Sequence, residues 1–102
     1  MLYKITAHIN KENIKEFYAK LTDDSIASLE PDGQEMLASM QRAIIDTDKI
    51  VTWYENCFCA VPLNHERTTV YDHYFDTFSP LLVDEIKKDL EGSSFWEYME
   101  KQ

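Results

Sequence analysis

Residues 2–9 alternate without a break, with Tyr3, Ile5, Ala7 and Ile9 on one side and Lys4, Thr6 and His8 on the other. The period then changes within a few residues. Ile14, Phe17, Tyr18 and Leu21 recur at i, i+3, i+4 and i+7, the spacing of one helix face. A period of two followed by a period near 3.6 demands a half-buried strand leading into an amphipathic helix, so the chain has to build a mixed α+β core. Asn10 stands where an N-cap belongs, and Ile9 can pack on Ile14 across it as a hydrophobic staple.

A chain of 102 residues has room for one such core, because a second would bury too little surface to offset its ordering entropy. Residues 1–102 are therefore expected to form a single α+β domain. No apolar run approaches the roughly 20 residues that a membrane-spanning helix needs, and the first residues lead into a strand rather than an apolar leader. That predicts a cytoplasmic protein without membrane association. Cys57 and Cys59 are one residue apart and close too small a loop to staple a fold, which fits a reducing compartment. The net charge is −9, and the first 20 residues, where Lys4, Lys11, Lys15 and Lys20 outnumber Glu12 and Glu16, carry +2 of it against −11 for the rest. Such acidity repels a phosphate backbone and argues against direct nucleic-acid binding.

Further along, Pro31-Asp32-Gly33 marks a turn. Residues 35–45 fit either a helix (Met36, Leu37, Met40, Ala43, Ile44) or one face of a strand. Asp46-Thr47-Asp48-Lys49 resembles a hairpin loop, and Ile50 to Tyr54 is rich in β-branched and aromatic residues. Two antiparallel strands over 37–45 and 50–60 are therefore expected. Asn64 can cap a helix with an apolar stripe of Val70, Tyr71, Tyr74, Phe75 and Phe78. Ser79-Pro80 reads as the N-cap and first residue of another helix carrying Leu82, Val83, Ile86 and Leu90, with Gly92 as its stop. A last short helix follows from the capping-box spacing of Ser94 and Glu97, ahead of Trp96, Tyr98 and Met99. The expected fold is thus an antiparallel sheet of about three strands with helices on one face, in βαββα order. It would be a ferredoxin-like variant whose last strand is replaced by helices.

Chemistry-bearing residues gather between Glu55 and Asp76. Zinc usually takes Cys or His pairs two to four residues apart, whereas Cys57 and Cys59 are closer and His65 and His73 lie about 12 Å apart along one helix. No metal and no cofactor are expected, and the cysteines read as small buried apolar residues. Arg67 falls on the apolar stripe of its own helix and calls for a partner, which Glu55 supplies from a facing strand. His65, Glu66, Asp72, His73 and Asp76 read as a solvated face.

These features favour a small, non-catalytic interaction or regulatory protein, a homodimer or a subunit docked on a protein partner through a sheet face left bare by its helices. A cofactor-free enzyme is the alternative, with Glu55, Cys57, His65, Arg67 and Tyr71 as catalytic candidates. An acidic nucleic-acid mimic is a further alternative.

Overall fold

The computed structural model describes residues 1–87 and 90–102. The opening strand β1 (Leu2–Ile9) buries Tyr3, Ile5, Ala7 and Ile9 as the alternation requires. Asn10 accepts a hydrogen bond from the Glu12 amide at 3.1 Å, and a short 3₁₀ turn leads into α1 (Ile14–Thr22), which buries Ile14, Phe17 and Leu21.

The α+β class stands, but the three-stranded layout does not. The described residues form one antiparallel sheet of five strands in the order β4-β1-β3-β2-β5, with four α-helices. Several of the expected elements fail.

Residues 37–45 are not a strand. They lie mostly in α2 (Gly33–Arg42), and only β2 (Ile44–Ile45) precedes the hairpin. Gln34, Glu35, Met36, Leu37 and Ala38 are strong helix formers without β-branching, and burying Met36 and Met40 at i, i+4 fits a helix. Gly33 opens α2 because a Cβ there would sit 2.1 Å from the Ile26 carbonyl oxygen. The hairpin loop forms as expected, closed by the Ile50 amide donating to Asp46 Oδ1 at 3.1 Å, and β3 runs Ile50–Asn56 rather than to 60.

The helix after Asn64 is short. α3 (Asn64–Thr69) gives way to a 3₁₀ turn, and the chain then enters β4 (Phe75–Val83), which pairs only with β1 and so forms a sheet edge. Ser79-Pro80 therefore caps nothing. A proline fits an edge strand, where its missing N–H is not needed for a ladder. The helix-like spacing of Phe75 and Phe78 is explained by a bulge: Thr6 faces Ser79, His8 faces Asp76, and Thr77 between them takes φ +51°. One extra residue reverses the alternation, so Phe75 and Phe78 both turn to the core although they are three apart. The remainder of the expected helix over 79–92 includes residues 88–89, outside the described set.

The last helix forms as read, α4 (Phe95–Glu100), with Ser94 Oγ accepting from the Glu97 amide at 3.2 Å; it follows β5 (Ser93–Ser94). Its anchors are Phe95 and Met99. The opposite sheet face is not bare where Tyr54 lies. Val83, Asp84, Glu85 and Lys87 line a depression with Lys4 and Tyr54, and Ile86 and Leu90 line another with Arg42, Ile44 and Tyr54, leaving Tyr54 5% exposed.

Candidate functional site

Two buried carboxylates organise the region singled out by sequence. Glu55 lies on the core side of β3, between Trp53 and Cys57 in the alternation, and is fully buried. Its Oε1 accepts from Trp53 Nε1 at 2.9 Å and from the Tyr71 hydroxyl at 2.5 Å. Oε2 has no hydrogen-bond partner among the described residues. Burial pushes the Glu55 carboxyl up to about 8, with Glu66 and Glu35 adding to the rise and the Tyr71 and Trp53 donors opposing it. Tyr71 is driven well above the usual phenol range, by burial first and then by Glu55.

The expected Glu55–Arg67 pair does not exist. Because α3 ends at Thr69, Val70 and Tyr71 do not continue its stripe, and Arg67 points away from the core. Its Nε donates to Asp72 Oδ1 at 3.1 Å, and its guanidinium lies 4.8 Å from the Phe78 ring centre.

The second carboxylate was misread. Glu66 sits on α3, but it is 1% exposed rather than part of a solvated face. Beyond Asn56 the chain leaves the sheet, the Cys57 amide donating to the carbonyl of Met1, just before β1, at 2.8 Å. The following loop ends at Leu63, a buried residue in the left-handed region at φ +56°. That turn brings α3 back against the loop, and both thiols reach one oxygen of Glu66: Cys57 Sγ at 3.6 Å and Cys59 Sγ at 3.4 Å. The Cys59 amide donates to Cys57 Sγ at 3.3 Å. Burial pushes the Cys57 thiol up to about 12, with the Cys59 and Glu66 side chains raising it and backbone donors at Cys59 and Leu63 pulling the other way.

On the far side of Glu66, His65 Nδ1 meets Asp32 Oδ2 at 2.7 Å. Asp32 precedes α2 but makes no side-chain cap; its carboxylate crosses to α3 instead. Its Oδ1 is buried without a hydrogen-bond partner among the described residues. Glu35 steadies the wall, accepting from the Asn56 amide at 3.0 Å and facing Arg42 at 3.6 Å. Together these groups line a pocket of about 330 Å³, with Pro31 and Phe58 among its apolar members. Phe58 is 91% exposed at its lip, and Val61 in the same loop is exposed.

Of the five catalytic candidates, the fold brings only Cys57 and His65 to this pocket. Glu55 and Tyr71 are in the core and Arg67 is on the surface of α3. Sequence reasoning missed Asp32 and Glu66. Asp32 is 33 residues from His65, beyond any local pattern; Glu66 was adjacent to a named candidate, but its direction depended on how long α3 would be. Among the described residues, no helix is long and apolar enough to cross a membrane. No protein-family model matches this chain, and no curated protein or solved structure matches it.

Proposed function

We propose that this chain is a small, non-catalytic interaction protein that receives a protein partner at the mouth of the Cys57–Glu66 pocket. The observation that carries the reading is Phe58, an aromatic side chain 91% exposed at the lip of an otherwise well-formed pocket. Full exposure of a phenylalanine forfeits about 2 kcal/mol of burial that a docked surface would recover. Asp32 and Glu66 lie in the pocket beneath it, in a chain of net charge −9, so the complementary surface is apolar with a basic group beside it.

The same geometry weighs against the enzyme reading. Both thiols donate to Glu66, while the imidazole is held by Asp32, so among the described residues no hydrogen bond couples a cysteine to the histidine as nucleophile to base. A thiol pushed up to about 12 is also a poor nucleophile at neutral pH.

Substituting Phe58→Asp tests the reading, since the side chain is exposed and its loss leaves the fold intact. Wild-type protein immobilised in an extract of its own cells should retain a specific partner that the variant loses; if the partner is a second copy, sedimentation should show a dimer that the variant lacks. Identical retained proteins and identical sedimentation for the two forms would refute it.

A further inference from the structure

We propose that Cys57, Cys59 and Glu66 form a binding site for a single borderline-soft divalent cation, with Zn²⁺ the ion that best fits the donor set. The inference goes beyond the docking reading and does not rest on it. The thiol sulfurs and the Glu66 carboxylate lie within 4.8 Å of one another. The two sulfur-to-Oε1 separations are 3.6 and 3.4 Å. A tetrahedral zinc with bonds of about 2.3 Å to sulfur and about 2.0–2.1 Å to oxygen has sulfur–oxygen edges of about 3.5–3.6 Å. Both sulfur–oxygen edges are already close to those of such a site.

The spacing rule that spoke against zinc concerned pairs of cysteines on their own. Here the third donor comes from α3, folded back by the left-handed turn at Leu63, and the amide of Cys59 points at Cys57 Sγ at 3.3 Å, where it favours a sulfur carrying negative charge. Glu66 is the second observation. A carboxylate 1% exposed whose hydrogen-bond partners among the described residues are two weak thiol donors is poorly compensated, and a cation would satisfy it. Two thiols in the set select Zn²⁺ over Mg²⁺ or Ca²⁺, which take oxygen donors. Binding exchanges two thiol protons, released to solvent, for the metal, with no change of oxidation state. Three protein donors leave a fourth position for water or a ligand. Glu66 also belongs to a cluster with Asp32 and His65, so the His65–Asp32 pair lies beside the metal donors as outer support.

The test uses the full chain, kept reduced with a phosphine, equilibrated with Zn²⁺ and then dialysed against metal-free buffer. Elemental analysis should find one zinc per chain. Titration with Co²⁺ should give a sulfur-to-cobalt charge-transfer band together with the intense visible bands of a tetrahedral site. Cys59→Ser, at a half-buried position outside the core, should weaken binding at least tenfold and diminish the charge-transfer band. In the unmodified chain, Zn²⁺ should protect both cysteines from iodoacetamide, and a chelator should remove that protection, a readout that needs no variant to fold. Zinc at a small fraction of one per chain, or stoichiometric zinc that survives replacement of both cysteines by serine, would overturn the proposal. Docking is read by partner retention and zinc by elemental analysis of the unmodified chain, so either idea can fail alone.

Discussion

Glu55 and Glu66 are the same residue type, eleven positions apart and buried to the same degree, yet their surroundings give them different work. Glu55 is enclosed by the core, with an indole and a phenol both aimed at one oxygen and no opening to the pocket. Its environment is aromatic: Trp53, Tyr71, Phe75 and Phe78 pack around it with ring centres 5.2–5.9 Å apart. Glu66 is also out of solvent by its own surface, but it lines the pocket and its partners are thiols. Burial alone therefore does not mark a functional carboxylate. What separates the two is whether the partners are groups that a ligand could replace.

The largest effect expected from this contrast is at Glu55. A carboxyl raised from 4.5 to about 8 is protonated in the folded chain and ionised in the unfolded one between those values. The folded state then binds more protons, so this group's contribution to stability is greatest below about 4.5, falls by up to about 1.4 kcal/mol per pH unit through the window, and levels off above about 8. Glu55→Gln keeps an acceptor for Trp53 and Tyr71 and removes the titration. Urea unfolding at pH 5, 6, 7 and 8 should show the slope flattened, and the variant more stable than wild type at pH 8. An unchanged slope would mean that Glu55 is ionised in the fold and that the core is wetter than its geometry implies.

Glu66→Gln should be far milder for stability, because an amide oxygen can still accept both thiols. A change under about 1 kcal/mol in metal-free urea unfolding is expected. A loss as large as that from breaking a buried ion pair, about 3–5 kcal/mol, would erase the distinction between the two acids and make Glu66 structural.

Smallest of all is Arg67→Ala. Its partner Asp72 is exposed and Arg67 is itself 38% exposed, so the pair and the contact with Phe78 should together contribute less than about 1 kcal/mol. In a double-mutant cycle, Glu55→Gln and Arg67→Ala should add within about 0.5 kcal/mol. A coupling well above that would restore the ion pair that sequence spacing suggested.

How much could be read from the chain differs sharply between its ends and its middle. The first strand and helix were legible because each signal is local and the signals agree: alternation, Asn10 as cap, and a helix stripe within one turn of it. The Ser94–Glu97 capping box was legible for the same reason. Residues 64–83 were not, since Val70, Tyr71, Tyr74, Phe75 and Phe78 keep a helix period although a 3₁₀ turn carries the first three and a bulged edge strand the last two. Only the pairing of β4 with β1 chooses between them. The candidate site divides in the same way. Cys57 and His65 stood out as residue types, whereas Asp32 entered through a contact across 33 residues and Glu66 through the turn at Leu63.

The sequence by itself determined an α+β class, an acidic surface, the opening strand and helix, the 46–49 hairpin loop and the last capped helix. Each depends on a few neighbouring residues whose side-chain spacing or hydrogen bonding favours one backbone conformation. Tertiary structure alone decided the five-stranded order, the edge strand through Pro80, the partners of Glu55 and the meeting of Cys57, Cys59 and Glu66 beside His65 and Asp32. Those outcomes follow from which surfaces become buried together. A buried carboxylate takes whichever donors the packing places against it, and no spacing along the chain specifies which those will be.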